Sequence, residues 1–377
     1  MKPRTLALLL SASFFLGACS SLNPFATGVK AGALKPIDKP VSTSEIWRVK
    51  VGDSERFVLK PAVVEKAVFA ASADGRVVRI EGGREVWRSS LRVTLSAGVG
   101  SDGRIVVVST PKGEVIALDA SNGQERWRVA VNGEVLAAAA VSDNLVVVRS
   151  TDSRLFGLDP ADGRRRWVYQ RAVPALSLRN AAGVVMEGSA IFAGFPGGKL
   201  VAVSPANGTL LWEGTVAVPR GATELERVSD ITSLPVLTPR AGCAAAYQGR
   251  IACFDLSNGS NLWNRELSSS RGLDIDARNV FVTDEKGAVH ALDLSNGASL
   301  WKQDQLAGRN PGRPLAFGEF VVVADREGVV HFLRKEDGAL VGRHKTDASP
   351  VLADLQRSGE SLLLQTKDGS VYALGVQ

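Results

Sequence analysis

Short runs of alternating apolar and polar residues fill the chain beyond about residue 45, and they return in a fixed order. The stretches Gly113 to Asp119, Gly249 to Asp255 and Gly287 to Asp293 are versions of one strand. Such strands lead to Asn-Gly or Asp-Gly, at Asn122-Gly123, Asp162-Gly163, Asn207-Gly208, Asn258-Gly259 and Asn296-Gly297. These dipeptides accept the positive φ of a tight hairpin. Gly83, Gly123, Gly163, Gly208, Gly259 and Gly297 are each followed, four residues on, by a tryptophan: Trp87, Trp127, Trp167, Trp212, Trp263 and Trp301. With Trp47 these are all seven tryptophans of the chain, spaced by 40, 40, 40, 45, 51 and 38 residues. Turn signals every eight to twelve residues predict four short strands in each unit.

Two units depart from this pattern. Gly328 to Leu333 leads to Asp337-Gly338, but Gly342 stands where the tryptophan belongs. The last unit, Gly369 to Leu374, ends before its turn and outer strand. At the other end Glu45 to Val49 is an outer strand without a unit, and it carries Trp47. The first strand therefore completes the last unit and closes a ring. An open array would leave bare strand edges at both ends. The sequence predicts an all-β fold: an eight-bladed β-propeller of four-stranded antiparallel blades over residues 45–377, about 41 residues each. A blade cannot bury its apolar face alone, so the seven tryptophans are expected to dock each blade on the next. The pattern resembles the tryptophan-docking repeats of pyrroloquinoline-quinone-type propellers. That resemblance spans nearly all of the repeat region and implies a fold, because function resides in sites grafted on it.

The first residues carry an address. Lys2 and Arg4 precede an apolar run, Leu6 to Leu16, too short to span a bilayer comfortably. Leu16-Gly17-Ala18-Cys19 follows and resembles the lipobox of bacterial lipoproteins. That implies a signal peptide over 1–18, acylation of Cys19, and a lipid-anchored chain. Ser20, in place of the Asp that retains such proteins at the inner membrane, implies the periplasmic face of the outer membrane. Residues 19–44, with Pro24, Gly28, Gly32, Pro36 and Pro40, read as a flexible tether. The formal net charge of +6 falls to about +4 without Lys2 and Arg4, and no basic block points to nucleic acid.

Candidate chemistry is sparse. Of three histidines, His290 and His331 share a repeat position filled elsewhere by Ile116, Phe156 and Val201, and read as strand residues. No His or Cys spacing fits a metal site, and no nucleophile elbow or phosphate loop occurs. Quinoprotein enzymes often carry adjacent cysteines, which this chain lacks. The expectation is a non-enzyme without cofactor or metal. Cys243 and Cys253 flank the turn at Gln248-Gly249 in an oxidising compartment; a cross-strand disulfide and two buried thiols both stay open.

The breaks in the period carry the functional signal. The spacings of 45 and 51 place extra residues after Trp167 and after Trp212. Both fall in the connection from one blade's outer strand to the next blade's inner strand, so they lie side by side on one face. Enlarged loops on a rigid scaffold commonly carry function. The first holds Leu176, Leu178 and Arg179, the second Gly221 to Ile231, a mixed apolar and charged set suited to a protein partner. The lipobox, the eight repeats, Ala175 to Arg179 and Arg220 to Asp230 together resemble the BamB family, propeller lipoproteins of the outer-membrane β-barrel assembly machinery. The resemblance implies a multi-protein complex, docking on the periplasmic POTRA domains of a BamA-type barrel subunit, and assistance to unfolded outer-membrane proteins. It implies a contact set of two leucines, an arginine and two aspartates, carried here by Leu176, Leu178, Arg179 and Asp230. The second aspartate falls at Thr232, which weakens the acidic half. The alternatives are a ligand- or quinone-binding propeller and a scaffold for other envelope proteins.

Overall fold

A computed structural model describes residues 33–376. The expected signal peptide and Cys19 lie outside the described residues. Eight four-stranded antiparallel sheets follow one another around a channel. Seven are continuous in sequence: 62–90, 100–130, 140–170, 185–215, 236–266, 273–303 and 315–345, numbered here as blades one to seven. Blade eight takes three strands from 356–376, and its outermost strand is Thr43–Lys50. Thr43–Lys50 pairs with Ser370–Val376 in a register that runs from Thr43 opposite Val376 to Lys50 opposite Ser370. The ring closes as the repeat count predicts.

The core lies between blades. One cluster joins Val107, Ala117 and Trp127 of blade two to Val146, Val148 and Phe156 of blade three. The closing seam is built alike, with Val68, Val78 and Ile80 of blade one against Leu363, Val371 and Ala373 of blade eight. Middle strands are apolar on both faces and can be buried throughout, as in Ala67–Ala71 and Ile105–Ser109.

Each tryptophan stands on the turn glycine of the next blade. The pairs are Trp47 on Gly83, Trp87 on Gly123, Trp127 on Gly163, Trp167 on Gly208, Trp212 on Gly259, Trp263 on Gly297 and Trp301 on Gly338. A Cβ at Gly123 would lie 2.6 Å from Trp87 Cε3, and Gly123 has φ 74°, so the turn needs glycine twice over. For the six tryptophans after Trp47 the indole N–H donates to a carbonyl of the same turn, as from Trp87 to Ala120 (2.9 Å), Trp127 to Pro160 (2.8 Å) and Trp301 to Lys335 (2.7 Å). A bulge precedes the tryptophan: Trp127 faces Ala117 and Glu125 faces Leu118, leaving Arg126 unmatched. Such a bulge re-aims the side chain that follows it. The same irregularity falls at Ile46, Val86, Leu211, Leu262 and Leu300, which are exposed on the rim.

Cys243 and Cys253 face each other directly across a hairpin and form a disulfide, with their Cα atoms 4.1 Å apart. His290 and His331 lie on strands, and each ring meets an aspartate of its own blade: His290 with Asp284 (2.9 Å) and His331 with Asp325 (2.8 Å). Residues 35–41, placed by the sequence reading within the tether, lie along blade seven. Arg343 donates to the Lys35 carbonyl (2.6 Å), and the Val41 N–H to the Val341 carbonyl (2.8 Å).

Candidate functional site

The two longest connections between blades are 171–184 and 216–235, and both run from an outer strand to the next inner strand. Asp230 joins them. Its carboxylate accepts the Leu178 N–H at 2.6 Å and the Gly197 N–H at 3.1 Å, and its carbonyl accepts the Tyr247 N–H at 2.8 Å. Asp230 is fully buried, with Val228, Ser229 and Ile231 beside it in the core. Ile231 packs where a Cβ on Gly194 would lie 2.1 Å from its Cγ2, so a glycine in the neighbouring strand makes room for it. The expected acidic surface is thus turned inward at Asp230, because its carboxylate is engaged by a backbone donor of the first loop, Leu178, and by Gly197 in the hairpin turn of blade four.

A second buried charge braces the same seam. Arg149 ends the apolar strand Val146–Arg149, donates to the Ala182 carbonyl at 3.0 Å and lies 5.0 Å over the Phe195 ring. Burial lowers its pKa to about 10, partly opposed by the charge of Asp230. It stays cationic at neutral pH.

What these braces present is apolar. Leu176 is 42% exposed, Leu178 36% and Leu225 68%. Leu225 rides on a tight turn closed by reciprocal bonds. Glu226 accepts from the N–H groups of Ala222 (2.8 Å) and Thr223 (3.1 Å), while Thr223 Oγ1 accepts the Glu226 N–H (3.3 Å). This is the capping-box arrangement used without a helix. Arg179 makes a two-pronged contact with Glu134, at 3.0 Å and 2.6 Å. The pair raises Arg179 and lowers Glu134 from their ordinary values, chiefly through these hydrogen bonds. An exposed pair contributes little stability; it orients the guanidinium. Thr232, where an aspartate was expected, donates to the Ser270 carbonyl at 3.0 Å, tying the second loop to the segment that leads into blade six.

Leu176, Leu178 and Arg179 therefore share a face, whereas Asp230 lies beneath it. The sequence reading missed Glu134 and Arg149 and left Leu225 unmarked among its neighbours. Glu134 carries no repeat signal. An arginine closing an otherwise apolar strand is the one trace of Arg149. Among the described residues no cluster of three or more His, Cys, Asp or Glu is placed to hold a metal ion.

The family model described as outer membrane protein assembly factor BamB matches residues 81–303 and 285–377. The chain is 39% identical to the outer membrane protein assembly factor BamB of Bordetella pertussis, over 97% of this chain and 95% of that one. It is 42% identical to the BamB of Pseudomonas aeruginosa, over 92% of each. The crystal structure of BamB from Moraxella catarrhalis superposes with a TM-score of 0.83 at 28% identity, covering 89% of this chain and all of that one. Near-complete coverage in both directions at this identity places the chain in the BamB family of outer membrane protein assembly factors.

Proposed function

We propose that the chain is a non-catalytic scaffold of the outer-membrane β-barrel assembly machinery. It is held at the periplasmic face of the outer membrane by lipid on Cys19, with residues 1–18 removed as a signal peptide. It docks on the POTRA domains of a BamA-type barrel subunit and so assists insertion of outer-membrane proteins. The supporting observation is the pair of loops locked together through Asp230, with Leu176, Leu178 and Leu225 raised on their surface. Apolar anchors on a rigid base, ringed by charge, are what a stable protein contact requires. Arg179, aimed by Glu134, supplies a directional charge at the rim. Asp230 acts here from below, as the residue that holds the Leu178 backbone.

The test is recovery of the complex. Leu176→Asp and Arg179→Glu are expected to abolish co-purification of the barrel subunit while circular dichroism and thermal unfolding stay close to the parent. Normal recovery with both variants would overturn the reading.

A further inference from the structure

The inner strands and the segments leading into them, from all eight blades, surround a cavity of about 530 Å³, a size that suits a small organic ligand. Its wall is divided. Blades two to five contribute small or aliphatic residues such as Val99, Gly100, Ala139, Gly183, Val184 and Leu234. Blades six, seven, eight and one contribute Arg271, Arg313, Asp354 and Lys60. An adjoining recess of about 320 Å³ adds Asp274 and Arg357 on the same side.

The charges on that side do not balance. Arg313 is shared between Asp354 (3.2 Å) and Asp274 (3.9 Å), and its Nε donates to the Leu273 carbonyl (2.8 Å). Arg357 donates to the Ala316 carbonyl and lies 5.8 Å over the Phe317 ring. Asp274 also accepts the Ala316 N–H at 2.8 Å. Lys60 and Arg271 make no ion pair among the described residues. Glu285, near Arg271, is engaged by the N–H and hydroxyl of Ser270. Burial pushes both Lys60 and Arg271 below their ordinary values; Asp354 and Asp274 oppose this in part at Lys60 and Glu285 at Arg271, and none stands at ion-pair distance, so an anion beside either cation would offset the remaining cost. A recess walled by protein strengthens that attraction over its value in water. The wall carries no aromatic ring on which a planar quinone could stack.

We propose that this cavity binds an aliphatic carboxylate, its charged end taken by the Lys60 and Arg271 side and its chain lying on the Ala, Gly and Val wall of blades two to five. The wall takes in the ends of the two long connections, at Gly183 and Leu234, but Leu176, Leu178, Arg179 and Leu225 do not line it, and binding is read without any partner present.

Fluorine NMR of 6,6,6-trifluorohexanoate with the folded chain tests it. Saturable broadening, reversed by unlabelled hexanoate, is expected. Lys60→Met and Arg271→Met, which keep the apolar stems, should each weaken binding about tenfold or more, and the neutral trifluorohexanamide should bind no better than the variants. Three results would overturn the proposal: no saturable signal, an amide that binds as well as the acid, or two folded variants that titrate like the parent. Displacement by inorganic phosphate as effective as by hexanoate would overturn the aliphatic half of it. Thermal unfolding of each variant, run alongside, identifies one that fails to fold, and the other then carries the test.

Discussion

Val41 stands on Gly342: a Cβ at position 342 would lie 2.4 Å from Val41 Cγ2, and the Val41 N–H donates to the adjacent Val341 carbonyl at 2.8 Å. This is the place where other blades carry tryptophan. Each tryptophan docks on the turn between the third and fourth strands of the next blade. In blade eight those strands come from opposite ends of the sequence, so no such turn joins them. A tryptophan at 342 would have nothing to stand on. Gly342→Trp is therefore expected to destabilise the ring, by about 1–3 kcal/mol for an overpacked site, although it restores the repeat consensus. Val41→Ala should cost about 1 kcal/mol. Urea unfolding of both variants checks the order.

Gly82 and Gly83 separate two reasons for glycine. Both have positive φ, 53° and 78°. A Cβ on Gly82 meets nothing within 4 Å, whereas one on Gly83 would lie 2.5 Å from the Cβ of Trp47. Asparagine tolerates the left-handed region. Gly82→Asn should leave the urea midpoint nearly unchanged, and Gly83→Asn should lower it by the equivalent of about 1–3 kcal/mol. Trp47 belongs to the closing strand, so equal midpoints would count against that strand's docking on blade one.

Legibility divided along physical lines. Period, turn chemistry and alternation are local, and they located all eight blades and the strand that closes the ring. The bulge before each tryptophan was not legible, because alternation describes a regular ladder and Leu211 or Leu262 reads equally well as a core residue. The interior of the site was harder still. Asp230 in sequence is an acidic residue on a long loop; only the fold brings the Leu178 and Gly197 amides to it. The hold of residues 35–41 on blade seven depends on an unmatched edge that no local pattern records.

Asp230→Asn replaces an acceptor-only group with one that carries its own N–H donors against two backbone amides. Losing that match in a buried site should cost about 1–3 kcal/mol. The larger effect is expected locally: faster hydrogen exchange at Leu178 and Gly197, and weaker recovery of the barrel subunit, with the blades retained. Exchange at the Trp127 and Trp263 docking turns serves as the internal control. Unchanged exchange at Leu178 alongside lost partner recovery would instead mean that the carboxylate touches the partner directly.

Acid should find blade seven first. His331 is fully buried, with Nε2 at 2.8 Å from Asp325 Oδ2, and Arg309 Nε donates to the same oxygen at 2.6 Å. Burial pushes His331 below its ordinary 6.5; Asp325 opposes this, while Arg309 and Arg343 add to it. Burial alone would raise Asp325, but bonds from His331, the Val329 N–H and Arg309 hold it below 3.8. The unfolded chain thus binds a proton at His331 before the folded chain does, and stability rises with pH across that interval. The histidine contribution is whole above 6.5 and is lost as pH falls from there toward the folded value. The aspartate contribution is whole well above 3.8 and is lost as pH falls from there through its own depressed value. His331→Gln keeps a donor for Asp325 and does not titrate. Its unfolding free energy should fall less between about pH 7 and pH 5 than that of the parent. A remainder is expected from His344, which is half-buried beside Thr43 and also held below 6.5. Urea midpoints at three pH values decide it, and parallel slopes for parent and variant would place the sensitivity elsewhere.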